Sequence, residues 1–141
     1  MKELPGGVFV APQILPAQIK ALAEQGVMSI INNRPDMEIP HQPPADDISM
    51  AAADSELDYA FIPMARALTP DVIEDSINAY ETMKRPIFAF CASGTRSTVL
   101  WCFAHVQKLG VDGVLDAAAK AGYSLEQIRG GLTQFLESRS S

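Results

Sequence analysis

The chain alternates short continuous apolar runs with longer stretches in which apolar residues recur every three or four positions. Ile87-Phe88-Ala89-Phe90-Cys91 is apolar throughout and bounded by Pro86 and Gly94, which predicts a strand buried on both faces. From Ser97 to about Leu109, Val99, Cys102, Phe103 and Val106 follow the helical step, so a helix begins almost at once after the strand. Val27-Met28-Ser29-Ile30-Ile31 predicts a second central strand that runs out into the turn residues Asn32-Asn33-Arg34-Pro35-Asp36. Gly7 to Val10 reads as a short edge strand, and Asp58 to Pro63 as a further strand.

Between these runs lie the helices. Pro16 opens one carrying Ile19, Leu22 and Ala23, which Gly26 ends. Met37 to Ala45, with Pro40, Pro43 and Pro44, predicts a loop holding a solvent-exposed His41. Asp46 or Asp47 then caps a helix through about Leu57. Thr69-Pro70-Asp71 combines a hydroxyl cap, a first-turn proline and an acidic residue at a helix start, ahead of the buried stripe Ile73, Ile77 and Tyr80. Gly110 stops the helix after the cysteine strand, and Asp112 to Lys120 continues as helix. Ser124-Leu125-Glu126-Gln127 reads as a capping box for a last helix with Leu125, Ile128, Leu132, Phe135 and Leu136 inward, and Ser138 to Ser141 should fray. This order predicts a single α/β domain over residues 1–141, with a mostly parallel sheet of about four to five strands and helices on both faces.

Composition narrows the function. At 141 residues the chain suits one domain with a substantial core, and 48% hydrophobic with 20% charged residues is ordinary for a globular protein. A net charge of −6 argues against nucleic acid as partner but leaves an anionic small molecule open. No apolar run suits a signal peptide or a membrane span, so the expected location is the cytoplasm without membrane association. Two cysteines make no disulfide framework, and no Cys/His spacing resembles a zinc site, so chemistry without metal or cofactor is expected. Oligomeric state is not fixed by the sequence.

The chemistry concentrates where the cysteine strand becomes a helix. The first amides of a helix lack intrahelical partners and favour an anion, and a thiolate is one. Ala92, Ser93, Gly94 and Thr95 can curl their amides inward, Gly94 tolerating the positive φ this requires, while Arg96 adds fixed charge. Together they are expected to lower the pKa of Cys91 and make it the nucleophile. Ligands of parallel sheets bind at the carboxyl ends of strands, where Arg34, Arg66 and Arg96 each follow a different strand and could form an anion site. Cys102 falls in the apolar stripe and reads as core; Trp101 and Met28 read as packing residues, and His105 as structural or exposed.

The turn Ile31-Asn32-Asn33-Arg34-Pro35-Asp36, the Tyr59 to Pro63 strand, the Thr-Pro-Asp helix start, Phe90-Cys91-Ala92-Ser93-Gly94-Thr95-Arg96-Ser97 and Ala121-Gly122-Tyr123 together resemble the phosphatase-like domain of beta-lactamase-hydrolase-like proteins. That family is related in fold to the protein tyrosine and dual-specificity phosphatases, so the resemblance implies their fold and a covalent intermediate on Cys91. It also implies Arg96 as the oxyanion ligand and Ser97 as the group stabilising the leaving thiolate. The chain departs from the phosphatase loop in three ways. Four rather than five residues separate Cys91 from Arg96, Phe90 stands where a histidine is usual, and Arg66 stands where a dual-specificity phosphatase carries its acid. Asp36 and Asp71 are the candidate replacements for that acid.

The short loop is similar to the Cys-x-x-Gly-x-Arg cradle of rhodanese-like sulfurtransferases. A tighter ring suits one sulfur atom better than three phosphoryl oxygens, and transfer between good thiol leaving groups needs no strong acid. The preferred expectation is therefore persulfide transfer from a sulfane-sulfur donor. Its alternatives are phosphomonoester hydrolysis of a phosphorylated substrate through a phosphocysteine, and a catalytically weak module that binds an anion or a partner.

Overall fold

In the computed structural model, which describes residues 1–140, four short strands run parallel and a fifth runs against them. The strands are β1 (Lys2–Leu4), β2 (Val8–Ala11), β3 (Ser29–Asn32), β4 (Asp58–Phe61) and β5 (Ile87–Phe90), in the order β1-β2-β5-β3-β4. β1 pairs antiparallel with β2, and all other pairings are parallel. β2 is therefore interior rather than the edge its sequence suggested. The polar segment Lys2–Leu4 covers it, although only Leu4 of that segment is buried.

The helices are α1 (Ile19–Glu24), preceded by a 3-10 turn at Pro16–Gln18, α2 (Ala45–Asp54), α3 (Pro70–Thr82), α4 (Thr95–Lys120) and α5 (Arg129–Ser140). The period-two alternation of the central strands sorts them onto two faces. Val8, Val10, Ile31, Ile87 and Ala89 join the core formed with α3, α4 and α5. Phe9, Ala11, Ile30, Phe88 and Phe90 join the smaller core formed with α1 and α2. β5 is buried at every position, which explains its unbroken apolar sequence.

Several local expectations are corrected. α2 starts at Ala45 with Pro44 at its N-cap; Asp46 and Asp47 lie in its first turn, and the carboxylate that accepts from the Ala45 amide is that of Asp36, at 2.7 Å. No capping box forms at Ser124. Leu125 instead precedes a 3-10 turn at Glu126–Ile128 without a side-chain cap. Met28, just before β3, is 41% exposed and not a packing residue. α5 continues through Ser140 where fraying was expected, and Ser141 lies outside the described residues. Thr69 does cap α3, its hydroxyl accepting from Val72 N–H at 3.3 Å. Gly110 breaks the α4 segment with φ 79° and ψ 166°. Among the described residues no helix is long and apolar enough to cross a membrane.

Candidate functional site

β5 delivers Cys91 to the carboxyl edge of the sheet between two parallel neighbours that grip its backbone. Asn33 N–H donates to Phe90 O at 2.8 Å, Cys91 N–H to Ala11 O at 3.4 Å, and Gln13 N–H to Ala92 O at 3.3 Å. The loop then turns through Gly94, whose φ of 94° is costly for any residue with a Cβ, and enters α4. Thr98 locks that entry by donating its amide (3.0 Å) and its hydroxyl (2.8 Å) to Gly94 O.

Cys91 is fully buried and unpaired in a disulfide. Its Sγ accepts a hydrogen bond from Gly94 N–H at 3.0 Å. A helix start leaves four amides without intrahelical acceptors. Gly94 N–H donates to Cys91 Sγ and Thr95 N–H to Ser93 Oγ at 3.4 Å, which leaves those of Arg96 and Ser97. The Ser97 hydroxyl is buried without a hydrogen-bond partner. Ala92, Ser93 and Thr95 are exposed along the outer rim.

Two of the three arginines converge, and a carboxylate that the sequence analysis did not single out joins them. Glu38 accepts from Arg96 Nη1 and Nη2, both at 2.8 Å, and from Arg34 Nε, also at 2.8 Å. Arg96 Nη1 also donates to Met64 O at 2.8 Å, and Arg34 Nη1 to Gln13 Oε1 at 3.1 Å. The guanidinium of Arg96 is thus held by its far end, with Nε–H and one Nη2–H outside the ion pair. Its pKa is raised, first by the bond to Glu38 and further by the neighbouring Cys91. The Arg96 and Arg34 bonds hold the Glu38 carboxyl down at about 2, against a smaller opposing effect of burial. Arg34, at 7% exposure, is a structural member of this cluster and not a solvated loop residue.

The remaining candidates make no hydrogen bond within that cluster. Arg66 is exposed, with no hydrogen bond or ion pair among the described residues, so it does not complete a three-arginine site. Asp36 accepts from the Ala45 amide at the start of α2, and Asp71 lies in the first turn of α3. His41 is exposed in a left-handed turn. Cys102 is buried in the core, where desolvation pushes its thiol up to about 12. His105 Nδ1–H donates to Trp101 O over 2.8 Å and the ring stacks on the buried Trp101 ring at 4.7 Å, which fits a structural role.

Tyr123 is the other residue that motif reading left without a role at the loop. Its hydroxyl donates to Ser93 O at 3.1 Å, and a Cβ built on Gly94 would collide with the Tyr123 hydroxyl oxygen.

Residues 1–108 match the sequence pattern of the family described as "Beta-lactamase hydrolase-like protein, phosphatase-like domain". A beta-lactamase hydrolase-like protein of Agrobacterium fabrum is 38% identical over 96 residues, covering 65% of this chain and 22% of its own length. The chain thus spans about a fifth of the curated relatives it matches. Among solved structures, a candidate phosphatase from Neisseria meningitidis superposes with a TM-score of 0.81 at 28% identity, over 95% of this chain and 96% of the other. The core catalytic domain of the S. cerevisiae PP-IP phosphatase Siw14 shares the fold at 15% identity and a TM-score of 0.63, over 96% and 82% of the two chains.

Proposed function

The chain belongs to the phosphatase-like domain family of beta-lactamase hydrolase-like proteins, and from that premise we propose that it is a cysteine-based phosphomonoester hydrolase. One observation supports phosphate over sulfur as the transferred group. Glu38 and Met64 hold Arg96 by one end of its guanidinium, which leaves Nε–H and an Nη2–H as a parallel pair of donors beside Cys91. Such a fork matches two oxygens of a phosphoryl group and has no counterpart on a single sulfur atom.

In this reading the Cys91 thiolate attacks phosphorus, a P–S bond forms, and the P–O bond to the leaving group breaks. The Arg96 fork and the free amides of Arg96 and Ser97 carry the oxygen charge that builds up. Water then attacks the phosphocysteine, the P–S bond breaks, the water's proton goes to the phosphate released, and Cys91 returns as thiolate. The Gly94 N–H, 3.0 Å from Sγ, donates to that returning thiolate, and this reading assigns the buried, unpartnered Ser97 hydroxyl to it as a second donor. Asp36 is held at the start of α2 and Glu38 is kept ionised between two arginines, so neither is a ready proton donor, and acid help is typically worth about a hundredfold to ten-thousandfold. The substrates this reading favours are therefore aryl phosphates and others whose leaving group departs without a proton.

The four-residue spacing and the engagement of Asp36 and Glu38 in other contacts keep one second reading, persulfide transfer through Cys91. Incubation with an aryl phosphate and, separately, with a sulfane-sulfur donor decides between them, with the adduct on Cys91 read by mass. The expected result is a phosphoryl adduct and aryl phosphate turnover that Cys91→Ser abolishes. A persulfide without any phosphoryl adduct would overturn the phosphatase reading in favour of sulfur.

A further inference from the structure

A trans peptide unit is planar, so its C=O and N–H point in opposite directions and turn together. The unit between Ser93 and Gly94 has both ends engaged. Its N–H donates to Cys91 Sγ at 3.0 Å on the inner side, and its C=O accepts from Tyr123 Oη at 3.1 Å on the outer side. A glycine with a φ of 94° has no Cβ to prevent that unit from rotating. Rotation would turn the carbonyl dipole, with its negative end, toward the sulfur. Something other than Gly94 must hold the peptide, and the Tyr123 hydroxyl is the group attached to it.

Tyr123 is itself rigidly placed. The end of α4 closes in a Schellman motif, with Gly122 N–H donating to Ala119 O at 3.0 Å and Tyr123 N–H to Ala118 O at 2.9 Å. Gly122 takes the left-handed position at φ 97°, which sends Tyr123 back over the cysteine loop. The phenol stays a donor, because burial and then the neighbouring Cys91 raise its pKa above the ordinary 10. Hydrogen bonds in a chain polarise one another, so a donor on the Ser93 carbonyl also strengthens the Gly94 amide as a donor to sulfur.

We propose that Tyr123 is a positioning residue for Cys91, acting through the Ser93–Gly94 peptide to keep an N–H aimed at the sulfur. This rests on Cys91 being the nucleophile. It extends the working unit beyond residues 1–108, into the connector before α5. The other charged groups at the sulfur are the Arg96 guanidinium and, behind it, Glu38, and neither touches Tyr123.

The test is Tyr123→Phe, which keeps the ring and removes only the donor. Alkylation of Cys91 by iodoacetamide is followed by mass against pH, with the deeply buried Cys102 as internal reference. The plateau of that profile reads access, and its midpoint reads thiolate formation. The expected result is a higher midpoint with about tenfold less Cys91 alkylation on the rising limb. On an aryl phosphate, kcat falls while KM is little changed, and the thermal midpoint stays close to wild type. An unchanged alkylation midpoint overturns the proposal, whatever happens to thermal stability. The alkylation arm decides even if the wild-type protein turns over no phosphate ester, so failure of the phosphatase reading is distinguishable. Should Tyr123→Phe not fold, 3-fluorotyrosine at position 123 supplies a stronger donor. It is expected to lower the midpoint, and an unmoved midpoint again overturns the proposal.

Discussion

Glu38 ties the electrostatics of the candidate site together. One carboxylate serves two guanidiniums, and those bonds hold it ionised down to about pH 2, against an ordinary value of 4.5. The sign follows from linkage: a carboxyl with a depressed folded-state pKa contributes stability that is complete above about pH 4.5 and is lost as the pH falls through 2. Glu38→Gln should therefore be less stable than wild type by about 1–2 kcal/mol at neutral pH, allowing for the partial exposure of the pair. Urea denaturation at pH 7 and again near pH 3 checks this, because the gap narrows in acid. The same variant frees the far end of Arg96, so kcat/KM on an aryl phosphate should fall by roughly tenfold. A lower KM for anions would instead mean that Glu38 competes with substrate. Residue-level reading of the sequence singled out Cys91, Gly94, Arg96 and Ser97 because a strand, a glycine and a helix start lie within a few positions of one another, and the strand, the left-handed glycine and the helix start are where it put them. Glu38 carried no such signal: it sits in a proline-bounded loop, and only folding sets it against arginines from the ends of β3 and β5.

Elements announced themselves where a local cause was strong. Thr69-Pro70-Asp71 gave the start of α3 because cap, proline and acid all act within one turn, and β5 was legible from its unbroken apolar run. β1 was hidden, since a three-residue strand with two exposed side chains owes its existence to β2, not to its own pattern. The Ser124 capping box failed because a 3-10 turn took the chain at Leu125. Gly110 was read as a stop and is one, but helix resumes immediately after it. Open space surrounds the place where a Cβ would stand at Gly110, so the cost of Gly110→Ala is backbone strain alone. A loss of about 1–3 kcal/mol is expected, seen as a lower thermal midpoint, with the Cys91 alkylation profile unchanged.

At the scale of the whole molecule, the α/β class and the mostly parallel sheet followed from the alternation of runs, while the strand order did not. Placing β5 at the centre depends on pairings between segments more than fifty residues apart, such as Phe88 with Ile30. The net charge of −6 correctly left room for a local cluster of guanidiniums, though Glu38 neutralises part of it. The C-terminal helix lies outside the matched family segment yet belongs to the main core, with Leu132 fully buried and Phe135 edge-on to Phe103 at 5.6 Å. Leu132→Ala should cost about 2–5 kcal/mol in denaturant unfolding, as for other large-to-small core changes. An exposed side chain at that position would cost almost nothing, so the measurement tests whether α5 is integral.

The peptide between Ser93 and Gly94 has a bearing on transplantation. The segment Cys91 to Arg96 looks like a cassette that could be cut out and set between any strand and helix. In the folded chain its inner hydrogen bond is balanced by Tyr123 from one connector, and its arginine is tethered by Glu38 and Met64 from two others. Moved alone, the six residues would keep their sequence and lose the three outside contacts that fix which way the peptide and the guanidinium face. A graft of this reactive loop has to carry four separate pieces of the chain.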